Sequence, residues 1–259
     1  MEIVKGNLYD YPAYYDLVFG ADWKAELKFM LRCFDRFAGR AVHRIFEPAC
    51  GTGRLLHRLA RRGFEVSGLD LNPRAVAYCN ARLERLGLKG SARVGDMADF
   101  RLPQKVDAAM NLINSFRHLP DERSAEAHLE CMSRALNRGG LFILALHLSP
   151  LEPPKNDEER WSARRGNLCV NTRLWTRERD LRRRREACGM VLDIYTPTRS
   201  QRICDELIFR TYTRTQFLRL LARVPDLELV EAFDFTYNVK SPIELTDSTE
   251  DAAFVLRKR

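Results

Sequence analysis

Ile45-Phe46-Glu47-Pro48-Ala49-Cys50-Gly51-Thr52-Gly53-Arg54-Leu55-Leu56 is the stretch whose reading decides the fold. A short apolar run, Ile45 and Phe46, ends in an acid, Glu47. Two glycines one residue apart open a tight loop, and Leu55, Leu56, Leu59 and Ala60 follow at helical spacing. This is a strand–loop–helix unit. Glycine lets a backbone approach a ligand where a Cβ would intrude. A helix behind such a loop turns unpaired N–H groups toward a polar ligand group.

The glycines alone fit a tight turn as well as a nucleotide site. The next unit narrows the choice. Gly63 closes the helix, residues 64–69 read as a second strand, and Asp70 stands at its carboxyl end. An acid there, one βαβ step after a glycine loop, is placed to accept hydrogen bonds from ribose hydroxyls. A dinucleotide fingerprint also needs a third glycine three residues after Gly53. Leu56 stands there, which disfavours a pyrophosphate.

Glu47-x-Ala49-Cys50-Gly51-Thr52-Gly53 followed by Gly68-Leu69-Asp70-Leu71-Asn72 resembles the first two motifs of the class I S-adenosylmethionine-dependent methyltransferases, with Ala49 in place of the usual first glycine. The resemblance continues through Val94-Gly95-Asp96-Met97, Val106-Asp107-Ala108-Ala109-Met110-Asn111 and the segment around Gly139-Gly140, so it covers residues 9–150. It implies S-adenosyl-L-methionine as cofactor. The methionine part would lie at Glu47, Ala49, Cys50, Gly51, Thr52 and Gly53, and the ribose at Asp70 with Leu71 beside it. Adenine would lie at Asp96 and Met97, with Asn111 leading toward the sulfonium. A helix-capping role is the alternative for Asp96. Tyr15-Asp16 resembles the Tyr-Asp pair that folds over the cofactor in many small-molecule members; a hydrophobic strap packed on the sheet is the alternative for Tyr15.

The 259 residues suffice for one α/β core with an insertion or for two small domains. Hydrophobic content of 45% and charged content of 30% are ordinary for a globular protein. No run approaches the roughly 20 apolar residues of a membrane helix, and the first ten residues lack the pattern of a signal peptide. Seven cysteines without a C-x-x-C pair point to reduced thiols in a cytoplasm, and to no structural metal. The net charge of +8 is concentrated in residues 160–185, including Arg182-Arg183-Arg184-Arg185. Such a block fits a solvated face, an anionic substrate or nucleic acid.

Along the chain, Asp22 reads as the N-cap of a helix with Leu27, Met30, Leu31, Phe34 and Phe37 inward and Gly39 as its stop. Asn72-Pro73 opens a helix closed by Gly87, and residues 91–94 form a third strand. Residues 106–110 form a continuous apolar strand, as in a parallel sheet covered on both faces. A helix over 121–137 and a fifth strand over 141–146 follow. Pro150, Pro153 and Pro154 then mark a break before a charged run, 155–160. Alternation predicts three antiparallel strands: 168–176, one ending in 191–195, and 201–210. A helix over 213–223 and two strands, 227–237 and 252–257, complete the chain.

The expected fold is therefore α/β: a Rossmann-like, seven-stranded, mostly parallel sheet with an antiparallel last strand, plus an inserted antiparallel β meander cap. The division is 1–150 for the core with its N-terminal strap, 151–210 for the cap, and 211–259 for the last helix and core strands. Such an insertion resembles that of glycine N-methyltransferase-like and sugar N,N-dimethyltransferase-like members, where it roofs the active site. The expected activity is methyl transfer to O or N of a small-molecule acceptor, with the basic block allowing an anionic one, by a monomer or homodimer. His147 after the fifth strand and His118 after the fourth are the candidate catalytic residues, since such transfers need at most one general base. Ala145 stands where similar enzymes often carry an acid. The alternatives are an RNA methyltransferase that uses the arginine block, and a cofactor-binding module without catalysis.

Overall fold

The computed structural model describes all residues except 22 and 151–157, so the Asp22 cap, Pro153, Pro154 and the start of the charged run lie outside the described residues. Two sheets organise the chain. The first has seven strands: β2 (Arg44–Pro48), β3 (Glu65–Asp70), β4 (Ala92–Val94), β5 (Val106–Asn111), β6 (Leu136–His147), β11 (Leu227–Phe233) and β12 (Asp251–Lys258). Their order across the sheet is β11-β12-β6-β5-β2-β3-β4. The strands from β4 to β6 pair in parallel, whereas β12 runs antiparallel to both β6 and β11. Every residue of β5 is buried at the sheet centre, but the expected continuous apolar run is interrupted by Asp107, which is tolerated there because its Oδ2 accepts from His43 and Arg44 N–H at 3.0 Å. Strand order reverses between β5 and β2, and in open α/β sheets the crevice at that point receives ligands.

Helices cover both faces. Leu27 and Met30 of α2 (Trp23–Phe37), Leu56 and Leu59 of α3 (Leu56–Ala60), and Cys79 and Leu83 of α4 (Pro73–Glu84) share one apolar cluster with β6 and β12. Leu129 and Met132 of α5 (Glu122–Ala135) and Phe217 and Leu220 of α6 (Arg214–Ala222) build the other. The expected helix over 121–137 stops at Ala135, because Leu136 is already extended at φ −83°, ψ 144° and starts β6. α3 has five residues, shorter than its leucine spacing suggests. Gly63, at φ 89°, turns the chain directly into β3.

The second sheet has five strands, not the three expected, in the order β1-β10-β9-β8-β7. Its members are β1 (Glu2–Lys5), β7 (Glu158–Arg165), β8 (Leu168–Asp180), β9 (Arg185–Tyr195) and β10 (Ser200–Arg210). β8 runs four residues past the expected end, so 177–180 is strand rather than turn. Consequently Arg182, Arg183 and Arg184 lie in the hairpin turn, and Arg185 begins β9. The N-terminal β1 pairs in parallel with β10, Glu2 opposite Gln201. The apolar face of this sheet (Val170, Met190, Leu192, Ile203) packs on Leu17 and Val18 of α1 (Pro12–Phe19) and on Leu8.

Ion pairs, buried at Glu186 and half-buried at Glu122, join the two sheets. Glu186 of β9 takes Arg117, which follows β5, and Arg179 of β8. Glu122 at the start of α5 takes Arg184 from the hairpin and Arg210 from β10. Most other arginines of the insertion also have acidic partners: Arg183 with Asp180, Arg185 with Glu178, Arg177 with Glu206 and Arg173 with Glu158.

Candidate active site

The glycine loop is held by its own backbone. Cys50 N–H donates to Leu69 O at 2.8 Å, and Gly53 N–H to Cys50 O at 2.9 Å. Ala49, Gly51 and Gly53 lie in the left-handed region at φ 53°, 52° and 65°. Gly53 admits no larger residue, since a Cβ there would stand 2.4 Å from Cys79 Sγ. At Gly51 a Cβ would stand 4.0 Å from Tyr15 Cε1, so that tyrosine lies over the open side of the loop.

Asp70 ties the loop to the next unit. Its Oδ2 accepts from Gly51 N–H and its Oδ1 from Asn72 N–H, both at 2.8 Å. Asn72 in turn caps α4, accepting from Arg74 and Ala75 N–H. Burial raises the Asp70 pKa more than the two backbone donors lower it.

A cavity of about 480 Å³ opens at these strand ends. Ala49, Gly51, Thr52, Asp70, Leu71, Met97 and Tyr15 line it, so seven residues expected at a cofactor share one wall system. Leu71 is 68% exposed, an apolar side chain kept out of the core at the cavity rim. Asp96 is exposed and accepts from Ala98 N–H at 2.8 Å, while its neighbour Met97 faces the cavity. Behind the loop, Glu47 and Asn111 are buried at the ends of β2 and β5. Glu47 Oε2 and Asn111 Oδ1 lack hydrogen-bond partners among the described residues. Burial pushes the Glu47 carboxyl well above its usual range, against the opposing charge of Arg54.

The two candidate histidines part company. His118 lines the cavity, and its Nε2 lies 2.8 Å from Tyr9 Oη. Desolvation by the surrounding atoms, and then the adjacent Arg117 charge, hold its pKa below the ordinary value. His147 stands outside the cavity lining, at the end of β6, with Nδ1 on Asp251 Oδ1 and its ring 5.0 Å from Phe235. Its backbone N–H donates to Asn114 Oδ1 at 2.7 Å. Asn114 and Ile113 are both left-handed, at φ 62° and 55°, and that turn sends Ile113 into the cavity wall.

The N-terminal segment supplies wall residues that sequence reasoning missed: Asn7, Tyr9 and Pro12, with Ser115 from the turn after β5. Asn7 Oδ1 accepts from Tyr9 N–H at 2.9 Å and folds the 3-10 turn Leu8–Asp10. Asn72 Nδ2 donates to Asp10 Oδ1 at 2.7 Å and docks that turn on α4. The cluster of tyrosines at 9–15 was the available signal, but its partners are far away in sequence. Burial drives the Tyr15 phenol up to about 12, so it remains a neutral hydroxyl.

Residues 45–140 match the family described as a methyltransferase domain. A dTDP-3-amino-3,4,6-trideoxy-alpha-D-glucopyranose N,N-dimethyltransferase of Streptomyces venezuelae is 26% identical over 138 residues, 52% of this chain and 56% of that protein. A demethylmenaquinone methyltransferase of Thermus thermophilus is 32% identical over 141 residues, 54% of this chain and 60% of that protein. The match thus spans little more than half the length of these relatives. Among solved structures, Streptomyces venezuelae DesVI superposes with a TM-score of 0.79 at 17% identity, covering 99% of this chain and 100% of that one. The S-adenosylmethionine-bound amino pentose methyltransferase CalS10 of Micromonospora echinaspora gives 0.72 at 21% identity, covering 98% and 99%. Likeness at such identity establishes the fold over nearly the whole chain. Residues 45–140 thus match a methyltransferase domain, and the fold around them is Rossmann-like.

Proposed function

We propose that this protein transfers a methyl group from S-adenosyl-L-methionine to an O or N atom of a small molecule, with an amino sugar as the acceptor class of first choice. One observation carries the reading: a 480 Å³ cavity runs from a left-handed glycine loop past the Asp70 carboxylate to Met97. Each Asp70 oxygen accepts one backbone N–H and has a second lone pair for a ribose hydroxyl. Leu71 and Met97 offer apolar contacts to a purine. Glu47 and Asn111, expected at the cofactor, are buried behind the loop and outside the cavity lining. The residues present therefore fit this cofactor, which when bound supplies an electrophilic methyl on sulfur.

The chain's own part is to align the acceptor, exclude water and receive a proton. Tyr9 Oη and His118 stand on the cavity wall within reach of an incoming acceptor, and a neutral His118 can accept a hydrogen bond from its hydroxyl or amine. His147, oriented through Nδ1 by Asp251, leaves Nε2 as the outward acceptor and is the second base candidate. The second sheet, built from β1 and residues 158–210, acts as a cap that decides which acceptors enter. The acidic partners of its arginines speak against a phosphate track and so against RNA. The sugar N,N-dimethyltransferase relatives support the acceptor class. A cytoplasmic site of action fits the seven unbridged cysteines, and no helix among the described residues is long and apolar enough to cross a membrane.

The test is calorimetry with S-adenosylhomocysteine, followed by radiolabelled methyl transfer to a panel of amino sugars, quinols and tRNA. Binding with transfer to the sugars is expected. Transfer to tRNA alone would overturn the acceptor class, and absence of binding would overturn the cofactor.

A further inference from the structure

Asp16 is a carboxylate 4% exposed, in the middle of α1, and it collects donors from three other elements. Thr52 of the glycine loop donates its hydroxyl to Oδ1 at 3.1 Å. Arg82 of α4 approaches Oδ2 at 2.5 Å, and Tyr78, one turn earlier, donates its hydroxyl there at 3.5 Å. Arg165, the last residue of β7, reaches the same oxygen at 3.3 Å. Arg82 has a second hold on the loop, donating to Thr52 O at 3.2 Å. Burial alone would push the Asp16 pKa up, but the hydrogen bond and charge of Arg82, with Arg165 and Thr52, hold it below the usual range.

The position of this acid gives the cluster its meaning. Asp16 follows Tyr15, which lies over Gly51, and belongs to the segment whose Tyr9 and Pro12 form the cavity wall. A ligand filling the cavity would be covered by that segment. Because α1 packs through Leu17 and Val18 on the second sheet and not on the core sheet, apolar burial fixes it to the cap side. The polar contacts of Asp16 fix it to the loop, beyond the Asn72–Asp10 bond that docks the preceding turn on α4.

We propose that Asp16 is a positioning residue: its ionised carboxylate clamps the N-terminal segment, the glycine loop, α4 and the second sheet together, and so closes the cavity over the cofactor. The ligand side of this proposal rests on the cofactor reading above; the clamp itself is testable without ligand. Removing the charge leaves Arg82 and Arg165 facing each other beside Arg58 and His57 without a carboxylate between them. Charge-assisted hydrogen bonds of this kind are the strong ones, and losing two frees the segment to open.

The experiment is hydrogen exchange of residues 9–19 in wild type, Asp16→Asn, Arg82→Met and the double variant, without ligand and with saturating S-adenosylhomocysteine. In the ligand-free Asp16→Asn protein, exchange over 9–19 should rise about tenfold while the β5 amides keep wild-type rates. The two single changes should be non-additive in the double variant, as expected of partners in one contact. S-adenosylhomocysteine should bind Asp16→Asn about tenfold or more weakly. A rise below threefold in the ligand-free protein, or strict additivity, overturns the clamp. If wild type binds no S-adenosylhomocysteine, the cofactor reading fails while the ligand-free exchange still judges the clamp. Should Asp16→Asn not fold, Arg165→Gln, at a side chain 61% exposed, serves instead. It should speed exchange over 9–19 at least threefold, and wild-type rates there overturn the proposal.

Discussion

Truncating Asp70 to alanine should remove most of the affinity for S-adenosylhomocysteine. In the free protein this carboxylate holds Gly51 and Asn72 N–H at 2.8 Å each, so the loop and the start of α4 share one anchor. A ribose edge adds two hydroxyl donors. Hydrogen bonds to a charged partner contribute about 1.5–3 kcal/mol each, so losing both costs about 3 kcal/mol or more, or roughly a hundredfold in dissociation constant. Water entering the vacated space offsets part of this by solvating the hydroxyls. Calorimetry on wild type and Asp70→Ala gives the total, and adenosine and methionine as separate probes locate it. Adenosine should lose nearly the full factor, because it carries the ribose; methionine should lose only what loosening of Gly51 costs. A loss below threefold for adenosine refutes the ribose assignment. An equal loss for both fragments would show that Asp70 acts through the loop alone.

Other consequences are open to measurement. His128 is fully buried, and its Nδ1–H donates to Met97 O at 2.9 Å, while burial above all pushes its pKa from 6.5 down to about 4. The unfolded chain therefore takes up a proton that the folded chain refuses, so stability is full above about pH 6.5 and falls by about 3 kcal/mol as pH drops toward 4; His128→Phe should flatten that part of a denaturant-midpoint profile. Glu186→Gln should cost about 3–5 kcal/mol, because it strips Arg117 of its buried acid, and a thermal melt unchanged from wild type would contradict this. Gly53→Ala should destabilise by a few kcal/mol through the φ of 65° and the Cys79 clash, with partial recovery in Gly53→Ala/Cys79→Ala.

Local chemistry explains what could be read from the sequence. The core strands announce themselves by short apolar runs ending in Glu47, Asp70 and Asn111, and each of these strands lies in the sheet at its expected place. Helix ends at Gly63 and Gly87 were legible because glycine tolerates the left-handed turns observed there, at φ 89° and 70°. What escaped depends on distant pairing. β7 reads as a charged run, and only its place beside β8 gives Trp161 and Ala163 a common apolar face. β1 has four residues with Ile3 66% exposed, so nothing within it specifies a strand apart from its partner β10. The same holds for the site. The motifs pointed to Gly51, Asp70 and Met97, whereas Asn7, Tyr9 and Ser115 reach the cavity only through tertiary docking.

The pairing of β1 with β10 also has a temporal consequence. Glu2 is translated well before its partner Gln201. At synthesis rates of about 5–20 residues per second, the first strand waits on the order of 10–40 s for the edge it joins. The seven-stranded sheet waits longer still, since β12, which follows β10 in sequence, inserts between β6 and β11. Throughout that interval the apolar face on which Leu8, Leu17 and Val18 pack is incomplete. The second sheet behind the cavity wall is thus complete only after β10 has been made, even though every residue from 45 to 140 is in place long before.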